Sequence, residues 1–321
     1  IMGGYGLLQL AGVLVINQGG MRLDGTFGNA TYLAVYMLFH IFLTFFLLLR
    51  ERFSKFWQWT YGVIIVLQLF ILYHTATRGV VLGLIGGASL TFLLIAFFEK
   101  ERLFLKKSSK IILIGVLVLV VGFFAVRNTS LVQNSDSLSR LASISLNEAR
   151  PRFMVWNMGW QGFLERPILG WGQESFNFVF NKYYDPKMYT QEQWFDRSHD
   201  IVFDWLIAGG VLGLLSYLSI FAALLFYIWR GQKKEFSFSE KAVFTGLLTG
   251  YFFQNIFVFD NIGSYIMFFS ILAFFHFSFG SPFPEKWNKK LVFDKATGNK
   301  IVVPVIVVAA VFGLYFFNAK P

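Results

Sequence analysis

The segment Ser198-His199-Asp200-Ile201-Val202-Phe203-Asp204 places an imidazole and two carboxylates at the head of a long apolar run. Imidazole titrates near neutrality and can take a proton from a hydroxyl, so His199 is a natural general base. If a helix begins early enough, Asp196 lies three residues before His199 and could orient the ring. Asp200 faces elsewhere, because neighbours on a helix diverge by about 100 degrees. Asp196, His199, Asp200 and Asp204 could alternatively be read as a hard-oxygen site for manganese or magnesium, although no second histidine joins them. His40, His74 and His276 lie in or beside apolar runs without acidic neighbours and read as packing residues.

Arginine is the second informative residue type. Arg22, Arg78, Arg150, Arg152, Arg166 and Arg197 all fall in the connections or span ends opposite the Lys-rich loops. A guanidinium offers phosphate a planar fork that never loses its charge, so several converging would suit a diphosphate. Snorkelling at a membrane interface or a loop salt bridge is the plainer reading, and it is preferred for Arg150, Arg166 and Arg197. Arg78, in Thr77-Arg78-Gly79 at the mouth of a span, reads as functional. A third feature, Pro167-Ile168-Leu169-Gly170-Trp171-Gly172, is backbone-permissive. It could display an indole to a sugar ring, or it could simply end a helix. It lacks the lysine and hydroxyl of a phosphate-binding P-loop.

These residues sit in a chain that must live in a membrane. Apolar residues make up 56% of the 321 and charged ones 14%, where a soluble domain carries about a quarter charged. The apolar residues fall in runs of roughly 16 to 22, enough to cross about 30 Å of hydrocarbon. The formal charge of +10 is spread in short clusters between those runs, which is a topology signal and does not point to nucleic acid. With no cysteine, disulfides, thiolate metal sites and thiol nucleophiles are excluded.

The expected fold is an all-α polytopic membrane protein with about nine spans, near 4–16, 29–49, 57–73, 79–98, 110–126, 200–229, 241–259, 262–279 and 301–318. Four basic connections, around 50–55, 99–110, 230–241 and 281–300, then share the cytoplasmic side. The opposite side receives residues 17–28, the His74–Arg78 turn, the Asp260-Asn261 turn and a long loop, 127–198. That loop is too aromatic to be disordered and is expected to carry short amphipathic helices at the interface, with Phe153 to Trp160 as the best case. The whole, 1–321, reads as one membrane domain, cut from a longer chain at both ends and with its C-terminus outside.

Taken in order, these stretches resemble the O-antigen ligase and O-antigen polymerase superfamily of bacterial envelope glycan transferases. The resemblance spans about 22 to 216. It rests on Arg22 with Gly25-Thr26-Phe27-Gly28-Asn29, Thr77-Arg78-Gly79, Arg152 four residues before Trp156, Pro167 to Gly172 with Phe176, and Ser198-His199-Asp200 followed by Gly210 and Gly213. Two positions depart from the family pattern: Asp200 where asparagine is common, and Ala208 where glutamate is frequent.

The resemblance implies an inner-membrane glycosyltransferase that moves a glycan from undecaprenyl diphosphate to an acceptor hydroxyl on the outer face, without nucleotide sugar, metal or other cofactor. It implies Arg78 and Arg152 on the diphosphate, with Arg22 as a third arginine, and His199 in acceptor activation. The acceptor stays open among lipid A core, polysaccharide, protein and wall polymer. A transporter of lipid-linked glycan is the main alternative, although a carrier would favour polar residues deep in its spans. A membrane anchor for an outside domain is a third.

Overall fold

A computed structural model describes residues 1–51, 54–143, 146–190, 193–230 and 236–279, together with 304 and 308. By contacts the chain divides into two units, Ile1–Phe279 and Gly280–Pro321. The expected ninth span, 301–318, and the basic connection 281–300 lie outside the described residues.

The first unit is all helix, as expected. Its elements are α1 (Met2–Leu10), α2 (Ala30–Arg50), α3 (Lys55–His74), α4 (Arg78–Phe98), α5 (Leu103–Val126), α6 (Ser130–Gln133), α7 (Asp136–Ala142), α8 (Leu146–Glu165), α9 (Phe176–Lys182), α10 (Ile201–Arg230), α11 (Phe238–Asn255) and α12 (Ile262–Phe279). Five of them, α2, α3, α4, α5 and α10, are long and apolar enough to cross a membrane. The run expected at 4–16 is helical only through Leu10, and Gly12 takes a left-handed conformation that ends it. The long 127–198 stretch folds into α6 to α9 and a 3-10 turn, Pro186–Thr190.

Local chemistry sets the helix starts. Asn29 accepts from Thr31 N–H at 2.8 Å to open α2, and Ser237 with Glu240 forms a reciprocal capping box on α11. Burial then separates centre from periphery. On α5 only Ser109 is buried, and Leu117, Leu119 and Phe124 are exposed, as suits a helix whose solvent is lipid. α11 is the opposite case. Less apolar than its neighbours, it is buried along most of its length among α2, α4, α10 and α12, and its fully buried Tyr251 packs on Phe39 and Phe221.

The tightest pairing is α4 against α11, antiparallel along their whole length. Gly79 meets Phe257, Gly83 faces Gly250, Gly87 faces Gly246, and the Thr91 hydroxyl donates to the Ala242 carbonyl at 3.3 Å. At the far end Ser239 donates to Glu99, both buried. Two small-xxx-small pairs, Gly83/Gly87 and Gly246/Gly250, let the backbones touch, since helix association in lipid depends on such close packing. The contact fixes where Arg78 stands relative to the segment after α11. A Cβ at Gly87 would collide with the Gly246 carbonyl and Gly250 N, whereas one at neighbouring Gly86 would meet open space. Gly87→Ala should therefore lose about 1–3 kcal/mol in thermal unfolding, and Gly86→Ala should leave the transition in place.

Candidate functional site

Four arginines and a histidine from five parts of the chain share one cavity of about 350 Å³. Arg22 comes from the loop before α2, Arg78 from the first turn of α4, Arg140 from α7, Arg152 from α8, and His199 from the residue pair before α10. Tyr32 of α2 and Phe257-Val258-Phe259, after α11, complete much of the wall.

Each cation is set by a different device. Arg22 ties its own loop to the α3–α4 turn: Nε donates to the Thr75 carbonyl at 2.9 Å and Nη2 to the Thr77 hydroxyl at 3.1 Å. Leu23 N–H adds a bond to the His74 carbonyl at 3.2 Å. Thr77 is the N-cap residue of α4, yet its side chain makes no cap bond and instead reaches back to the Thr75 carbonyl. Arg78 Nη2 donates to the Ser143 hydroxyl at 2.6 Å, and Arg152 Nη1 to the Phe257 carbonyl at 2.7 Å.

The cavity is electrostatically uncomfortable when empty of anions. Burial, then Arg140 and Arg78, lower the pKa of Arg22; burial and Arg78 lower that of Arg152, partly offset by the Asp200 carboxylate. Both shifts have the sign expected where like charges gather in a dehydrated place.

His199 is held by the backbone around it. Asp200 Oδ1 accepts from Val202 N–H at 2.8 Å and Phe203 N–H at 3.3 Å, capping α10. The Ser198 N–H and hydroxyl both reach Asp204 Oδ1, at 2.9 and 2.6 Å. Clamped from both sides, His199 adopts φ 54°, a left-handed conformation that few residues take without local support. Its ring packs on Phe195 and on Phe259 of the cavity wall, with centroids 5.6 and 5.4 Å away. The segment bearing Phe257 and Phe259 is anchored in turn by Asp260, only 5% exposed. Its carboxylate accepts from Asn255 Nδ2 at 2.8 Å, from Tyr217 at 3.1 Å and from Tyr251.

Arg22, Arg78, Arg152 and His199 thus meet in space, while Asp196 does not join them. α10 begins at Ile201, so the three-residue helical relation between Asp196 and His199 never forms. Asp196 instead lines a smaller cavity with Glu174, Arg197 and Asp204. The four-residue metal arrangement likewise fails to converge, since Asp200 and Asp204 spend oxygens on the α10 start. Among the described residues no group of three His, Asp or Glu is placed to hold a metal ion. Of the arginines read as structural, Arg166 lies over Trp171, 4.2 Å from its centroid, and Arg197 pairs with Glu174.

The Gly170-Trp171-Gly172 turn is structural. α10 breaks at Gly210 (φ 61°, ψ −159°), and the carbonyls freed there accept from the turn: Ile207 from Trp171 N–H at 2.7 Å, Ala208 from Gly172 N–H at 3.1 Å. Val211 N–H closes the exchange on the Pro167 carbonyl at 2.8 Å. A Cβ on Gly170 or Gly210 would enter the partner's backbone. The indole donates to the Gly162 carbonyl at 2.8 Å. Sequence reasoning missed Arg140, although it sits in the same long connection as Arg152. It could not have found the Phe257 carbonyl, which belongs to backbone.

The sequence profile of the family described as O-antigen ligase matches residues 63–218, a stretch that holds Arg78, Arg140, Arg152, the glycine turn, His199 and the Gly210 break. Over this stretch the chain is similar to the O-antigen ligase family. No curated protein sequence matches it. The match and the five apolar helices together indicate a multi-pass bacterial membrane protein, and the family's description implies an enzyme of the ligase or glycosyltransferase class. Within the matched stretch, the departure at Asp200 is mild in its geometry, because aspartate and asparagine cap helices about equally well.

Burial raises the Asp200 carboxyl above its ordinary range, against the Val202 and Phe203 N–H groups and Arg152. A carboxyl raised on folding contributes stability below its unfolded value and loses it as pH rises through the folded value. Asp200→Asn should therefore be at least as stable as the parent at pH 7, the difference closing as pH falls below about 4. Asp200→Ala should lose about 1 kcal/mol of stability with the cap. Thermal unfolding across that pH range separates the two.

Proposed function

We propose that this chain is an inner-membrane glycosyltransferase that takes a glycan from an undecaprenyl-diphosphate carrier and joins it to an acceptor hydroxyl, with the arginine cavity facing the outer leaflet. The observation that carries the reading is the meeting of Arg22, Arg78 and Arg152, more than 50 residues apart in sequence at each step, with His199 in a single cavity. Cations that repel one another in the resting protein become a binding site once a diphosphate spreads its charge among them. The first turn of α4 adds to this. Thr77, Arg78 and Gly79, at the positive end of the helix dipole, line the same cavity, and the Thr77 hydroxyl that could cap the helix bonds Arg22 and the Thr75 carbonyl instead.

In this mechanism the acceptor oxygen attacks the anomeric carbon as His199 takes its proton. The bond between that carbon and the diphosphate oxygen breaks, and the electron pair leaves with the lipid diphosphate. One displacement inverts the anomeric centre. The leaving group is stable as an anion, so the site needs charge neutralisation by Arg78, Arg152 and Arg22 more than a separate acid. Phe195 and Phe259 pack against the His199 ring, which lines the same cavity as the arginines. The acceptor is any of the hydroxyl classes considered from the sequence: lipid A core, polysaccharide, protein or wall polymer.

Reconstituted vesicles carrying undecaprenyl-diphosphate-linked glycan and a panel of acceptors test the reading. Donor-dependent product should form with the parent chain and fall at least about 100-fold in His199→Ala, the scale of a lost general base. Arg78→Ala should weaken inorganic diphosphate binding about 10-fold or more, the loss of one charge-assisted bond. Product formation that survives in His199→Ala would refute the base assignment. Protein-dependent movement of donor between leaflets without product would replace the transferase by a transporter.

A further inference from the structure

The helix that begins beside His199 is built as two arms, and only one of them has the make-up of a membrane span. α10 breaks at Gly210. The arm before the break carries Asp204 and folds back on the other: the Trp205 carbonyl oxygen lies 3.3 Å from where a Gly213 Cβ would stand, and the Trp205 and Tyr217 rings stack with centroids 5.3 Å apart. In an unbroken helix, residues eight apart are separated by about 12 Å. The arm after the break, Val211 to Arg230, holds no charged residue before Arg230 itself. It rises about 30 Å, the thickness of a bilayer's hydrocarbon. With Arg230 at one boundary, Gly210 stands at the other, on the side of the long connection.

The turn that stitches this break has an apolar tip directed outward. Ile168 and Leu169 are 62% and 73% exposed, and Trp160 and Leu164, one turn apart on α8, lead into them and are exposed as well. The tip is fixed to the spanning arm at its first residue, since Val211 N–H bonds the Pro167 carbonyl at 2.8 Å. On that arm Val211, Leu212 and Leu215 are also exposed. An apolar surface that begins on a span and runs onto the loop at its end is the mark of a membrane contact. Beside the tip stands Trp171, with the Arg166 guanidinium 4.2 Å and the Lys182 ammonium 5.3 Å from its ring centroid. Indoles and cations of this kind gather at the level of lipid headgroups.

We propose that Ile168 and Leu169 dip into the leaflet on this side, with Trp171 and Arg166 at the headgroups, and that the contact holds the α10 break at the membrane boundary. The partner is bilayer lipid, because the exposed row of Val211, Leu212 and Leu215 belongs to a spanning arm and leads directly to the tip. The contact does not depend on the identity of the donor. The turn then has two tasks. Its backbone satisfies the carbonyls freed at Gly210, and its side chains set the depth of the helix that begins beside His199.

The chain has no cysteine, so single cysteines can carry a fluorophore in lipid nanodiscs and be challenged with iodide in the buffer or with a nitroxide on the lipid acyl chain. Val63→Cys, exposed at mid-length on α3, and Lys187→Cys, exposed in the Pro186–Thr190 turn, calibrate the lipid and water extremes. Leu169→Cys should behave as Val63→Cys does, quenched by the nitroxide lipid and at least about fivefold less by iodide than Lys187→Cys, because an ion does not follow it into hydrocarbon. Ile168→Cys repeats the measurement at the neighbouring side chain, and a thermal transition equal to the parent's certifies each fold. Iodide quenching of both labels at the Lys187→Cys level puts the tip in water and overturns the proposal. Protection from both quenchers overturns it too, since the tip is then covered by protein, a second copy of the chain included.

Discussion

Like charges do not gather in a half-dehydrated cavity unless something else holds them there. The repulsion among Arg22, Arg78, Arg140 and Arg152 is the constraint around which this end of the protein is organised. Two of the four are held by backbone carbonyls, those of Thr75 and Phe257, in bonds that orient a guanidinium without neutralising it. The rest of the work falls to the framework. α4 and α11 touch through glycines, so the Arg78 and Phe257 ends cannot drift apart, and Asp260 locks the segment that carries the Phe257 carbonyl. The stability lost to charge crowding is recovered at positions far from the cavity.

The histidine is placed by a comparable logic. Its backbone is bent into an uncommon region by neighbours that serve the start of α10, Ser198 through Asp204 and Asp200 through two N–H groups. The helix cap and the orientation of the ring are one structure. The glycine turn of the long connection serves the same helix lower down, satisfying the carbonyls that the Gly210 break exposes. Many of the residues that made the sequence resemble a glycan ligase, from Arg22 and Arg78 to Gly170 and Gly210, therefore have an identifiable mechanical task, either in the cavity or in fixing the helix beside it.

Much of this was legible in the sequence. Apolar run length and the scarcity of charge gave the helices, and residue types that are costly in or near lipid gave Arg78 and His199. What was not legible depended on partners distant along the chain. α11 reads as an ordinary span until its glycines are set against those of α4. Asp260 reads as a turn residue until the hydroxyls of Tyr217 and Tyr251 reach it. Asp196 was placed beside His199 on the assumption that a helix ran through both; an Asp cap and a left-handed histidine end the helix short of it. A helical period carries no information about where the helix stops, and here the stop decided the neighbourhood.

The central position of α11 has a consequence for how the protein is made. This helix carries Glu240, Thr245, Thr249, Gln254 and Asn255 and is less apolar than the five long helices named above. Yet it is wrapped by α2 and α4, which are synthesised some 150 to 200 residues earlier. A segment of that composition gains little by entering hydrocarbon alone. Its insertion is favoured by a waiting groove lined with Gly83 and Gly87, so the earlier helices serve as an intramolecular receptor for the later one. Assembly of the cavity then comes late in biogenesis: the carbonyl that orients Arg152 arrives only when α11 has been accepted into the bundle.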